Sequence, residues 1–278
     1  MTACRFKDKI LLENGKYNPI NFPFSNFMLL AIDIGNSSVK FGVFDHENLI
    51  SRFSFPTIHT QTADEINSLI QTDFNQTISA IVISSVVPEL KNSFQILGEK
   101  FFNLLPVFVD NTFDFGLKIK YFPPENLGVD RIVAAFAAVE KYGKPCIVCD
   151  FGTATTIDAV NSKREFLGGT IVAGINLLAD ALHRRTSKLP LVELKKPASV
   201  IGNSTVSAIQ SGIYFGYVGL ADGIIRRMID ELGEKPKVVA TGGFANLIAE
   251  SAEMIEIVDE NLMLEGLRLL YEIGVLNN

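Results

Sequence analysis

The chain has 278 residues, 47% of them apolar and 20% charged, with a formal net charge of -6. That length holds two modest domains or one large one, and the mix is that of an ordinary globular protein. The acidic balance excludes a duplex nucleic-acid binder, because no basic stripe exists to neutralise phosphates, and no apolar run approaches the roughly 20 residues that span a bilayer. Anionic ligands must therefore be met locally, by backbone amides, bound cations or single arginines.

Residues 1–27 scatter Phe and Asn among charges and lack the basic start, apolar centre and cleavage site of a secretory signal. Either Met28 is the biological start or residues 1–27 form a loosely held extension, and neither reading finds a functional motif in them. Met28–Ile34 is a continuous apolar run, followed by Gly-Asn-Ser-Ser and then Val39–Phe44, which alternates and turns at Asp45-His46. The pattern predicts a hairpin led by a buried strand. Helical spacing over Thr62–Asp73, an apolar strand over Ile78–Val87 and a helix opened by Pro88 and running to about Phe102 follow. Val107–Val109 and Leu117–Tyr121 read as short strands, Pro123-Pro124 stops regular structure, and Leu127–Tyr142 reads as an alanine-rich helix ended by Gly143.

The opening pattern then returns. Cys146–Asp150 is a buried strand closing on Asp-Phe-Gly-Thr, and Ala154–Val160 leads to a turn at Asn161-Ser162. Ala31-Ile32-Asp33-Ile34-Gly35-Asn36 and Val148-Cys149-Asp150-Phe151-Gly152-Thr153 share an apolar strand, a terminal aspartate, one apolar residue, a glycine and a small polar residue. We read this as a duplication at domain scale, with a first half over 28–144 and a second over 145–278, the helix at 260–273 packing back on the first. Further on, Gly168-Gly169 precedes a strand, Ile175–Arg185 and Ser204–Leu232 are helical, Val238–Ala240 is a strand ending in Thr241-Gly242-Gly243, and Glu260–Ile273 is an amphipathic helix. Strands and helices mix throughout, so both halves are α/β.

Cys4, Cys146 and Cys149 do not make a disulfide framework. Cys146 and Cys149 stand three apart in an apolar strand, which puts them on opposite faces as small core residues. A reducing, cytoplasmic setting is expected. His46, His59 and His183 have no metal-ligand spacing and read as surface residues.

A strand ending in Asp-x-Gly-Asn that turns straight into a second strand suits phosphate. The glycine lets backbone approach the anion, turn amides point at it, and Ser37, Ser38 and Lys40 add donors. The aspartate repels phosphate, so its work runs through Mg²⁺ and its waters. Two such turns, each in its own half, followed by a glycine turn for the nucleoside, resemble the actin-like ATPase and sugar-kinase superfamily. The ordered stretches DIGNSSVKFGVF at 33–44, YFPPENLGVDRI at 121–132, DFGTATTID at 150–158, FLGGTIVAGI at 166–175, IGNSTVSAIQSGI at 201–213 and ATGGFA at 240–245 resemble, more specifically, the type III pantothenate kinase family.

The resemblance implies two duplicated actin-like (ribonuclease H-like) domains with the nucleotide cleft between them, and a homodimer that phosphorylates pantothenate with ATP, using Mg²⁺ and a monovalent cation, K⁺ or NH₄⁺. It implies ATP-phosphate contacts at Asp33, Ile34, Gly35, Asn36, Ser37, Ser38, Val39 and Lys40, and a further ATP contact at Thr153. It implies Asp130 as the proton acceptor, pantothenate contacts at Tyr121, Gly128, Val129, Asp130, Arg131 and Thr205, K⁺ at Asp150, and Mg²⁺ through water at Asp33. No nucleic acid or membrane partner is implied. The chain departs from the family pattern with Ser37 for a usual threonine, Ala173 where proline is frequent, and the leader. Two rival readings stand beside this one: a non-catalytic transcription regulator on the same fold, and a kinase for another hydroxylated acid or sugar. Taken singly, Asp130 is also a plain helix N-terminal acid, and Asp33 and Asp150 plain turn formers.

Overall fold

The computed structural model describes residues 27–70 and 77–275. In chain order the elements are β1 (Met28–Ile34), β2 (Ser38–Asp45), β3 (Asn48–Pro56), α1 (Ala63–Ile70), β4 (Ala80–Ser85), α2 (Lys91–Leu97), β5 (Val107–Val109), β6 (Lys118–Ile119), α3 (Val129–Tyr142), β7 (Cys146–Phe151), β8 (Ala154–Val160), β9 (Glu165–Ala173), α4 (Ile175–Arg185), α5 (Thr205–Leu232), β10 (Lys237–Thr241), α6 (Ala245–Ala249), β11 (Ile257–Val258) and α7 (Leu262–Val275). They fall into two compact units. Among the described residues, the first takes the chain as far as Phe115, Gly128–Val133 and the chain from Met263; the second takes Gly116–Leu127 and Ala134–Leu262.

The first unit holds a five-stranded sheet in the order β3-β2-β1-β4-β5, and the second a six-stranded sheet in the order β11-β10-β7-β8-β9-β6. Read from β9, the second order is β9-β8-β7-β10-β11 with β6 added beyond β9. In each sheet the central strand pairs antiparallel with the next strand in sequence and parallel with a later one. The repeat visible in the sequence is thus a repeat of sheet topology.

Strand alternation divides each sheet into two faces. Leu30, Ile32 and Ile34 of β1 join Val39, Phe41 and Val43 of β2, and Ile81 and Ile83 of β4, in one buried cluster closed by Ile66 and Ile70 of α1 and Phe94 and Leu97 of α2. Each such side chain contributes about 1.5–3 kcal/mol by leaving water. Phe41 stacks on Phe53 of β3, ring centroids 4.7 Å apart. The alternate residues Leu29, Ala31 and Asp33 face the other way, and on this side Gly42 leaves room for Leu264 of α7. In the second unit Ile147, Cys149 and Phe151 pack with Tyr214, Tyr217, Ala221 and Ile225 of α5. Cys146 and Cys149 are both buried, and burial pushes the Cys146 thiol up to about 12 and that of Cys149 higher still. Neither is a reactive thiolate.

The differences from the sequence reading are local. Gly168 and Gly169 lie inside β9 instead of before it: the register slips between Ala159 and Val160, and Gly168 takes φ +102° at the bulge. The helix expected from Leu127 starts at Val129, because a single helical turn over Pro124–Asn126 leaves Leu127 extended. The helix expected over Thr62–Asp73 is described to Ile70; its end lies outside the described residues. β3 was not foreseen, since its Asn, Ser and Arg positions hide the alternation. Of the leader, residues 1–26 and Cys4 with them lie outside the described residues, while Phe27 is buried and stacks on Tyr271 of α7 at 6.0 Å.

Candidate active site

The first unit gathers its chemistry at the end of β1. Antiparallel pairing sets Asp33 opposite Lys40 and Ile34 opposite Val39, and the turn between them is closed by the Gly35 amide donating to the Ser38 carbonyl at 3.0 Å. β3 buttresses that turn: Thr57 Oγ1 donates to the Gly35 carbonyl at 2.6 Å, and the Thr57 amide to the Ser37 carbonyl at 3.1 Å. A Cβ on Gly35 would stand 3.1 Å from the Ser38 carbonyl, tighter than such contacts normally run. Asn36 and Ser37 are exposed, and Ser38 and Lys40 half-buried. Ile34 and Val39 are fully shut in the core, so only their backbone is available to a ligand.

Asp33 is 6% exposed, and Lys40 Nζ lies 3.5 Å from its Oδ2. Burial pushes the Asp33 carboxyl above the usual carboxylate range; Lys40 pulls it back, and the negative charge of Asp130 pushes it up again. Asp130 stands in the first turn of α3, where its Oδ1 accepts the Arg131 amide at 2.8 Å. Its carboxyl is also raised, by burial, against the opposing pull of the Arg131 amide, the Arg131 guanidinium and Lys40. A side chain at position 128 would collide with Asp130 Oδ1, so Gly128 is what lets the carboxylate sit there. Val129 and Arg131 are buried. Asp33, Lys40, Asp130 and Arg131 therefore form one electrostatically linked group, two carboxylates with raised affinity for protons under one lysine.

One residue that the sequence reading passed over belongs to the same place. In the parallel pairing of β1 with β4, Asp33 is in register with Ser84, and partners in register point to the same face. Ser84 is wholly buried and its Oγ makes no hydrogen bond among the described residues. The signal was a pair of serines, Ser84-Ser85, closing an otherwise apolar strand.

The second unit repeats the arrangement with other side chains. Asp150 stands near the end of β7, in register with Thr156 of β8 and Thr241 of β10, and its Oδ1 is shut off from solvent. Three glycines surround the turn. A Cβ on Gly242, which takes φ +92°, would strike Asp150 Oδ1 and the Phe151 backbone; one on Gly152 would touch the same carboxylate; one on Gly174 would strike the carbonyls of Gly152 and Thr153. The Gly174 amide donates to the Thr153 carbonyl at 3.0 Å, and Thr153 itself is exposed. Beneath, the Tyr217 hydroxyl donates to Thr155 Oγ1 at 2.5 Å and lies 3.0 Å from the Ala173 carbonyl. Tyr121 is half-buried, its ring filling the space a side chain on Gly168 would need. Thr205 is exposed in the first turn of α5, whose cap is Ser204 accepting from the Ser207 amide. The structure thus groups Asp150 with Thr153, and sets Tyr121 and Thr205 on other elements of this unit. His46 is half-exposed, and His59 and His183 are exposed.

The donor set suits nucleotide and a divalent cation. Backbone cradles that a Cβ would fill occur in both units, and Asp33 adds a carboxylate beside an unused buried hydroxyl. Among the described residues no three His, Cys, Asp or Glu side chains form a cage of their own; Mg²⁺ bound with phosphates needs only one or two carboxylates and its waters.

Comparison with known proteins gives the following. The family described as Type III pantothenate kinase matches residues 29–227. The chain is 43% identical to the type III pantothenate kinase of Koribacter versatilis, covering 88% of this chain and 95% of that one. It is 47% identical to that of Anaeromyxobacter sp., covering 88% and 99%. Among solved structures it resembles one from Campylobacter jejuni described as a Baf family transcriptional activator, with TM-score 0.56 and 22% identity over 87% of this chain and 97% of that one. It also resembles a ROK family glucokinase from Streptomyces griseus in complex with glucose and AMPPNP, with TM-score 0.52 and 12% identity over 90% and 99%. Those two likenesses speak for the fold alone, a two-domain actin-like one.

Proposed function

The chain belongs to the type III pantothenate kinase family, and we propose that it works through the linked group of Asp33, Lys40 and Asp130. It is a pantothenate kinase of coenzyme A biosynthesis, with ATP as phosphoryl donor and a divalent cation as its companion. The observation that carries the site assignment is the placement of Asp130 in the first turn of α3, held by the Arg131 amide over Gly128 and coupled electrostatically to the buried Asp33 and to Lys40, with burial pushing its carboxyl up. A carboxylate tuned upward by burial is the better base near neutral pH.

Asp130 accepts the proton of the pantothenate hydroxyl as that oxygen bonds to the γ-phosphorus, and ADP leaves. Amides of Asn36–Val39 and the Lys40 amine hold the phosphates, with Gly35 letting the backbone come close, and in-line transfer needs little else than position and charge. Asp33 would hold the hydrated Mg²⁺, which would supply charge neutralisation at the phosphates, and Asp150 would hold the monovalent cation. Thr153 would meet ATP, and Tyr121, Gly128, Val129, Arg131 and Thr205 would form the pantothenate contacts. A cytoplasmic homodimer completes the proposal; among the described residues no helix is long and apolar enough to cross a membrane. The regulator reading has no observation of its own.

The test is ATP consumption with Mg²⁺ and K⁺ across pantothenate, hexoses, N-acetylhexosamines and short hydroxy acids, the phosphorylated product being identified by mass. Pantothenate is expected to give by far the highest kcat/KM. Preference for a sugar would overturn the substrate assignment.

A further inference from the structure

We infer that Ser84 is a positioning residue for Asp33, holding its carboxylate toward the magnesium-bearing face when nucleotide binds. This rests on the reading of Asp33 given above. The inference comes from two observations at one place. Ser84 is wholly buried and its Oγ has no hydrogen-bond partner among the described residues, a costly condition that native proteins keep rare. It is also the residue in register with Asp33 across the β1–β4 pairing, so the two side chains rise from the same face of neighbouring strands about 4.8 Å apart. Its other neighbour on that face, Val109 of β5, offers no polar atom.

Asp33 supplies the reason for such a hydroxyl. Its nearest polar partner is Lys40 Nζ at 3.5 Å, a long contact with a half-exposed amine. Phosphates entering the hairpin draw that amine toward themselves, because two or three negative charges outbid one. Asp33 is then buried, ionised and without its lysine, at the moment its direction matters most. The Ser84 hydroxyl, in register on the neighbouring strand, is the donor placed to take up one carboxylate oxygen and leave the other for the cation's waters. Outer partners of this kind commonly set the orientation and affinity of a metal site. A packing role is the competing account. It predicts that Ser84→Ala destabilises the ligand-free protein by opening a small void, whereas a hydroxyl left unsatisfied until nucleotide binds is removed at no cost or with a gain.

The experiment compares wild type, Ser84→Ala and Asp33→Asn as full chains. Melting temperature is measured without ligand, and then with a non-hydrolysable ATP analogue over a Mg²⁺ titration. Ser84→Ala is expected to melt at or above the wild-type temperature without ligand, and to need about 10-fold more Mg²⁺ for its half-maximal nucleotide-induced shift. A wild-type Mg²⁺ midpoint, or a lowered ligand-free melting temperature, overturns the inference. Asp33→Asn separates the two levels. If its Mg²⁺ midpoint moves and that of Ser84→Ala does not, Ser84 alone is dismissed; if neither moves, the reading of Asp33 as the magnesium carboxylate goes as well.

Discussion

Asp130→Asn is the substitution on which the proposed chemistry depends most directly. The amide has the shape of the carboxylate, and its oxygen can still accept the Arg131 amide that now lies 2.8 Å from Asp130 Oδ1. What is lost is a base. General-base contributions of about 10²–10⁴ in rate correspond to roughly 2.7–5.5 kcal/mol of barrier, and kcat is expected to fall by that factor with KM for ATP little changed. Stability should move little: a favourable charge at the start of α3, worth about 0.3–1 kcal/mol, is exchanged for relief from burying that charge. A net change of about 1 kcal/mol would shift Tm by roughly 2–4 °C in a chain of this size. Because the Asp130 charge raises the Asp33 carboxyl, the variant should also keep its Mg²⁺-dependent nucleotide shift to lower pH than the wild type does. The assay is coupled ADP release over pH 5.5–8.5, paired with thermal shift by the nucleotide analogue. Turnover within threefold of wild type would remove Asp130 from the mechanism.

In the wild type the log of kcat/KM is expected to fall as pH drops through the raised pKa of Asp130, and a profile that stays flat down to the ordinary carboxylate range would contradict a buried base. Activity is expected to rise with K⁺ or NH₄⁺ at constant ionic strength and saturating Mg²⁺–ATP, and Asp150→Ala to lose both this response and most turnover; a flat response in the wild type ends the assignment of the cation to Asp150. Asp33→Asn should stabilise the ligand-free protein at pH 7: a carboxyl whose folded pKa lies above its unfolded value binds protons more tightly when folded, so its ionisation costs stability as pH rises. The Tm difference from wild type should be positive at pH 7 and shrink as pH falls through the raised pKa towards the usual carboxylate value, and a negative difference at pH 7 would show that the Asp33–Lys40 pair is net stabilising.

The central strands and the duplication were legible because they rest on short-range signals. An uninterrupted apolar run such as Met28–Ile34, closed by Asp-x-Gly, states both a buried strand and its end. The repeat of that pattern at Cys146–Phe151 turned out to repeat the sheet order itself. β3 was not legible, since its burial is only partial on one face and exposed on the other, which leaves no apolar run to notice. Gly168 and Gly169 were misplaced for a related reason. Glycine is both a strand terminator and a bulge former, and only the partner strand decides which. Within the site, Asp33 and Asp150 stood out by the repeated Asp-x-Gly turn, whereas Asp130 was singled out only by the family resemblance and taken alone reads as a helix N-terminal acid. Ser84 was not: the Ser84-Ser85 pair after Ala80–Ile83 marks the end of the strand, but its significance is a register across β1 and β4, separated by some 50 residues of chain, and a serine there does not announce that its hydroxyl goes unused.

The duplication also explains why the two halves would call for different cations. Asp33 and Asp150 close the central strands of equivalent sheets, each followed by one apolar residue and a glycine. Across the antiparallel partner, however, β2 sets Lys40 against Asp33, whereas β8 sets Thr156 against Asp150. No residue of β8, which reads Ala-Thr-Thr-Ile-Asp-Ala-Val, carries positive charge. On the proposed reading the first hairpin brings its own ammonium group, that of Lys40, to the phosphates. The second offers a threonine hydroxyl, a partly buried carboxylate and backbone carbonyls held close by Gly152, Gly174 and Gly242, an oxygen set that suits a large, weakly hydrated monovalent ion better than it suits Mg²⁺, which keeps its waters and demands octahedral order. On this argument a Thr156→Lys variant places an amine where the repeat has one in the other half. It is expected to turn over with a much weaker dependence on K⁺, at a maximal rate below wild type because the amine is tethered where an ion would adjust. Undiminished K⁺ activation in a folded Thr156→Lys protein would mean that the cation acts somewhere other than beside Asp150.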